Sequence, residues 1–257
     1  MLSTVESIYV IVAVVVTSIA FLFALNRLWP PHHRQSYNSV FAWQFNFLGT
    51  TYGVIISFML FTAWTDFYAA DLNTDAEANA LVNLARVVGG LPVEQRDAVR
   101  ALAQHYANVV LYDEWPAMSR SESLESSRTI IQQFWSALTP SATLTPTQQV
   151  SLDHAFSELS SMTEHRRIRQ LQTLQHMPGI LWAILILGSI LTISYACLFG
   201  AENLKLHALQ VFGLSVLIAL CLTAIADLSR PFQGGAHIEP YAFMRAKDSL
   251  QSYTPAH

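Results

Sequence analysis

Four uninterrupted apolar runs restrict what this 257-residue chain can become. Residues 8–25, IYVIVAVVVTSIAFLFAL, and residues 47–64, FLGTTYGVIISFMLFTAW, carry no charge. Residues 179–199 and 206–226 complete the set, joined by the short turn AENLK. Each run is close to the roughly 18–20 apolar residues that cross a hydrocarbon core. Lipid offers the backbone no water to bond to, so each spanning segment must close its own hydrogen bonds as a helix. No basic residue precedes the first run and no clean small-residue cleavage site follows it, so a retained span is expected rather than a cleaved signal.

Charge placement sets the domain organisation. Only 12% of residues are charged, about half the usage of a soluble domain. Residues 1–65 contain just Glu6, Arg27 and Arg34, and residues 178–229 just Glu202, Lys205 and Asp227. The expected fold is therefore all-α, with four transmembrane helices and a helical extramembrane domain inserted between spans 2 and 3. Its parts are residues 1–65 (spans 1 and 2), 66–177 (helical soluble domain), 178–229 (spans 3 and 4) and 230–257 (a C-terminal tail). Four spans put both termini and the domain on one side. That side carries Arg166, Arg167, Arg169, Arg230, Arg245 and Lys247 near the span ends, against Arg27, Arg34 and Lys205 opposite. The bias predicts an inner-membrane, multi-pass protein with a cytoplasmic domain and cytoplasmic termini.

The polar middle reads as helices. Ala76, Ala80, Leu84 and Val87 recur at three- and four-residue spacing, and Gly89-Gly90 stops the run. Pro92 opens a second helix over 93–115, with Val99, Leu102, Tyr106, Val109 and Val110 on one side. The linker SRSESLESS, the helix IIQQFWSAL and the loop TPSATLTP follow. Thr145 then caps a helix with Pro146 in its first turn, running towards Met177, and Pro178 kinks or divides it from span 3.

The second span is the most informative. At 100° per residue, Asn46, Gly49, Thr50, Gly53 and Ser57 share one face, which Leu60 and Trp64 extend. Small residues at four-residue spacing pack helices closely. The same face also suits a water-lined path, with Leu60, Phe61 or Trp64 as an apolar constriction. Other chemistry is thinly supported. Cys197 and Cys221 fall inside spans and read as free thiols, and His154, His165 and His176 are three helical turns apart, too far to share one metal. No metal, cofactor or nucleic acid is expected. Enzyme signatures such as a nucleophile elbow, H-E-x-x-H or a Walker loop are not seen, so the chain reads as a non-enzyme.

The stretch ADLSRPFQGG, residues 226–235, ends span 4. Asp227 and Arg230 are spaced to pair at a helix end, Pro231 forbids continuation, Phe232 can dock back at the interface, and Gly234-Gly235 permits a sharp turn. With the following Ile-x-Pro-x-x-Phe, this ending resembles the bestrophin-like bacterial membrane proteins. Supporting elements are Leu48-Gly49-Thr50-x-Tyr52 at the second span, and the helix with Glu77, Ala78, Leu81, Leu84 and Arg86. The likeness runs from about residue 40 to 244. It implies the four-span arrangement of bestrophins, which are pentameric anion channels lined by the second span. By that analogy the chain forms a homo-oligomer, five-fold or alternatively four-fold. Asn46, Thr50, Gly53 and Ser57 would face a conduit for inorganic ions, gated by Leu60, Phe61 or Trp64. Two charged belts compete for ion selection: Asp66 with Asp71, which follow the pore helix, and Arg166 with Arg169. The alternative function is a non-conducting membrane scaffold or sensor, whose domain binds a partner and whose small-residue face only packs.

Overall fold

All four apolar runs are helical in the computed structural model, which describes residues 4–122, 126–139 and 143–253. Parts of the serine-rich linker and of the TPSATLTP loop lie outside the described residues. Helix α1 (Thr4–Leu28) holds the first run, and the short α2 (Pro31–Arg34) leads to α3 (Asn38–Val87), which holds the second. Then come α4 (Val93–Val109), α5 (Trp115–Met118), α6 (Arg128–Leu138) and α7 (Pro146–Leu174). Helices α8 (Gly179–Leu198) and α9 (Leu204–Leu228) hold the last two runs, and α10 (Tyr241–Gln251) ends the described chain. No strand occurs among the described residues.

The chain divides into two units. One comprises residues 1–66 and 176–229, and the other residues 67–175 and 230–257. The 50-residue α3 contributes to both, and at 1.5 Å rise per residue it is about 75 Å long. The sequence pattern shows a span and an amphipathic segment; the helix continues through both because no glycine or proline lies between residues 54 and 88.

In the membrane unit, Leu22, Tyr52, Ile56, Met59, Ala63, Leu185, Ile193, Val211, Ile218 and Ile225 form the core. The Tyr52 ring packs against Gly188, where a Cβ would come within 2.5 Å of it, and its hydroxyl donates to the Leu185 carbonyl at 3.0 Å. The absence of a side chain at 188 thus leaves the room on α8 in which the Tyr52 ring of α3 packs. Several hydroxyls inside the spans bond to their own helices, as Ser18 does to Val14 and Thr192 to Gly188. That satisfies donors which hydrocarbon would leave unpaired. Pro178 divides rather than kinks: α7 ends at Leu174, and α8 starts at Gly179 with Pro178 as its N-cap residue. Cys197 and Cys221 are free thiols.

The helical unit encloses Ala80, Leu81, Leu84, Val99, Tyr106, Val110, Phe134, Leu138, Leu159 and Met162. Thr145 caps α7 in a reciprocal box with Gln148, as its position before Pro146 predicts. Residues 110–114 are a π-helical turn between α4 and α5. Pro116 has no N–H to return to the Tyr112 carbonyl, which accounts for the change of register. The segment read from sequence as a C-terminal tail is the last part of this unit's core. Phe232 is buried edge-on to Trp115 at 5.7 Å instead of anchoring at an interface, and Phe243 and Leu250 of α10 are buried with it. The turn is closed by Ile238 N–H to the Pro231 carbonyl at 2.8 Å. Gly234 sits at φ 83°, a conformation that favours glycine.

Candidate functional site

The second span presents two different faces. Tyr52, Ile56, Met59 and Ala63 are buried in the membrane unit. Asn46, Thr50, Ser57, Phe61 and Trp64 are exposed, and Gly53 and Leu60 are half-buried. A Cβ built on Gly49 or Gly53 would meet nothing within 4 Å. The small-residue stripe therefore does not pack within its own chain, where Gly188 and Gly200 make the close approaches instead. Ser57 Oγ donates to the Gly53 carbonyl at 2.7 Å. Its donor is used, so the oxygen offers lone pairs outward. Thr62 and Thr65 bond the same way to Phe58 and Phe61, at 3.0 and 2.9 Å.

The charged candidates separate sharply. Asp66 and Asp71 are exposed. Arg169 is wholly enclosed at 0% exposure, and Arg166 is nearly so at 8%. This corrects the basic belt expected from sequence. The two arginines face into the helical unit, where carboxylates from other helices neutralise them, and only Arg167 beside them is exposed.

Their surroundings form a closed network. Arg169 Nε and Nη2 reach the two carboxylate oxygens of Glu77 in α3 at 2.7 and 2.9 Å, and Nη2 also reaches Glu114 Oε2 at 2.9 Å. Tyr106 donates its hydroxyl to Glu77 at 2.6 Å, and the Phe243 ring lies 5.8 Å from the guanidinium carbon. Glu114 accepts from the Ser127 hydroxyl at 2.6 Å and from the Ser127 N–H at 3.2 Å. Arg166 Nε donates to that hydroxyl at 2.5 Å. Two acids and two bases thus balance in one buried place, where Arg166 Nη2 lies 3.6 Å from Glu114 without a hydrogen bond of its own. Burial alone would raise the Glu114 carboxyl, but Arg169, Ser127 and Arg166 outweigh it and hold it below the usual range. Burial and the Glu77 charge push the Tyr106 phenol far up, so it remains a donor. Sequence reading singled out Arg166, Arg169 and Glu77, and put Tyr106 on the apolar side of its helix without a polar role, but missed Glu114 and Ser127. The π turn that aims Glu114 inward is signalled only by Pro116.

One of the histidines has a structural contact. His165 Nδ1 pairs with Asn73 Oδ1 at 2.8 Å, while Asn73 Nδ2 donates to the His165 carbonyl at 2.9 Å, tying α3 to α7. Among the described residues no three His, Cys, Asp or Glu side chains lie close enough together to hold a metal ion.

A family model described as "Bestrophin-like domain" matches residues 11–243. No curated protein matches the sequence. A point mutant of a bacterial bestrophin homologue from Klebsiella pneumoniae superposes with a TM-score of 0.72 at 13% identity, over 98% of this chain and 100% of that one. Another structure of that homologue gives 0.71 at 14% identity, over 97% and 99%. A structure described only as a membrane protein gives 0.71 at 14%, over 98% and 99%. At such identities the likeness establishes the shared fold.

Proposed function

The chain belongs to the bestrophin-like family, and from that premise we propose that it is an oligomeric membrane ion channel lined by the second span, with cations favoured. One observation carries the reading: the polar face of residues 46–57 points out of its own protomer. Asn46, Thr50 and Ser57 would be costly against lipid, and a ring of copies removes that cost by enclosing them around water. Asn46, Thr50, Gly53 and Ser57 then line the conduit, and Leu60, Phe61 and Trp64, next along the helix, supply the apolar constriction. Ion sign follows from which charges are available. Asp66 and Asp71 are exposed, Arg166 and Arg169 are consumed by Glu77 and Glu114, and Ser57 presents lone pairs. On this reading the protein is a non-enzyme, and its helical unit and termini are cytoplasmic.

A scaffold whose Gly49, Gly53 and Ser57 merely pack against another copy is the second reading, favoured by the open space at both glycines. Flux from liposomes separates the two. Potassium flux exceeding chloride flux, lost when Ser57→Phe is introduced into an oligomer that still assembles, supports the pore. Unchanged flux in assembled Ser57→Phe rejects the lining, and silence of the folded wild-type protein across pH and calcium favours the scaffold.

A further inference from the structure

The helical unit holds a cavity of about 620 Å³ between α3 and the chain that follows Gly234. Phe67, Asp71 and Asp75 stand one turn apart along α3, so helical period alone puts them on one wall. The turn at Gly234, closed by the Ile238 bond to Pro231, brings the last part of the chain back to this place. There Glu239, Tyr241 and Asp248 supply further lining.

The lining is acidic beyond its own counter-charge. Asp71, Asp75, Glu239 and Asp248 contribute four carboxylates, against the single guanidinium of Arg245. Arg245 Nη2 sits 3.0 Å from Asp75 Oδ1, with 72% of its side chain still exposed. The other basic group is His237, whose Nδ1 lies 3.1 Å from the Gly234 carbonyl oxygen and whose Nε2 lies 3.5 Å from Glu239. Asp71 and Asp248 form no ion pair among the described residues. Yet no three of the acidic and histidine groups converge closely enough to hold a metal ion. The negative charge is spread around the cavity instead of focused on a point, and much of the remaining lining is apolar or aromatic, as at Phe67, Tyr241 and Met244.

We propose that this cavity binds a linear organic polyamine, a chain of ammonium groups separated by methylenes. Its separated charges answer carboxylates that lie too far apart for one inorganic cation, which needs its oxygen ligands gathered around it. Its methylenes cover apolar surface that a hydrated ion leaves bare. The Tyr241 ring attracts an ammonium and packs against methylenes alike. The volume falls within the range of about 300–1,000 Å³ usual for small-molecule sites. Arg245 already displays the mode of contact, a cation on an exposed, flexible stem seated on Asp75. Occupancy does not depend on whether the protein conducts.

Isothermal titration of the purified protein in detergent, with spermidine as the probe at fixed ionic strength, tests this. Spermidine binds saturably, and magnesium at the same charge concentration does not displace it. Asp71→Asn combined with Glu239→Gln weakens binding about tenfold, because two ion contacts are lost. Tyr241→Ala weakens it about threefold. Glu94→Gln combined with Asp153→Asn removes the same charge from exposed positions outside the cavity and leaves the affinity unchanged. Absence of saturable binding overturns the proposal. Equal losses in the two double variants overturn it by reducing the effect to net charge, and displacement by magnesium overturns it by making the occupant a point cation. Should the Asp71 and Glu239 variant fail to fold, Tyr241→Ala decides, since that side chain is 63% exposed and its truncation spares the core. An affinity unmoved by Tyr241→Ala then rejects the cavity as the site.

Discussion

Arg169 in α7 grips both carboxylate oxygens of Glu77 in α3, at 2.7 and 2.9 Å, with neither side chain exposed. A fork-shaped donor meeting a planar carboxylate fixes distance and orientation together. Glu114, entering from the π turn, makes the pair a triad whose charge Arg166 balances. Such a cluster adds little stability over a well-packed apolar core, but removing one member strands the others.

Arg169→Met is therefore expected to cost about 3–5 kcal/mol, because it leaves Glu77 and Glu114 buried without their main counter-ion. Thermal unfolding in detergent measures the loss. Combining it with Glu77→Gln and Glu114→Gln should recover a substantial part, since the stranded charges go too. A triple variant no better than Arg169→Met would show that the cost is packing against Phe243 and Met118.

Acid should weaken the helical unit through Glu114. Its folded-state pKa lies below the ordinary glutamate value of 4.5, so its contribution is complete above that value. The contribution drains away as pH falls from there through the depressed folded value. Unfolding midpoints between pH 7 and pH 3 should show this decline. Glu114→Gln, although less stable at neutral pH, should fall less steeply over the acid range. Parallel curves would remove Glu114 from the account.

The glycines of the membrane unit make opposite predictions. Gly188→Ala puts a methyl within 2.5–2.6 Å of two Tyr52 ring carbons, and the shift it forces should cost about 1–3 kcal/mol in unfolding measurements. Gly53→Ala meets only open space within its chain and should leave protomer stability unchanged or slightly raised. If Gly53→Ala nevertheless dissociates the oligomer on size exclusion, that glycine packs against a second copy and does not face a conduit.

Removing the exposed acids tests ion sign. Asp66→Asn combined with Asp71→Asn is expected to lower the potassium-to-chloride permeability ratio several-fold in bilayer reversal potentials, with the effect shrinking at high salt. Arg167→Gln, also exposed, should shift the ratio the other way or leave it unchanged. A ratio indifferent to the two aspartates would detach them from the ion path.

Much of this was legible in the chain because it is local. The length and purity of the apolar runs give four helices, since lipid admits no other way of pairing a lone segment's backbone. Thr145 before Pro146, Gly89-Gly90 after Val87 and Gly234 after Pro231 set their own boundaries within a few bonds, and the structure keeps each one. The polar stripe of Asn46, Thr50, Gly53 and Ser57 is likewise a matter of helical period alone.

Which way that stripe faces was settled elsewhere, by Tyr52 lying on Gly188, a contact between residues 136 positions apart in the numbering (188 less 52). The fate of the arginines was settled in the same way. Arg166, Arg169 and Arg34 look in sequence like surface charges beside spans, and only tertiary structure brings Glu77, Glu114 or Cys197 to them, from 92 residues away in the Glu77 case and 163 in that of Cys197. Helix formation depends on a residue's neighbours within a turn, and these four stretches determine it. Burial of a charge depends on which distant helix arrives opposite it, and no local pattern in the sequence contains that partner.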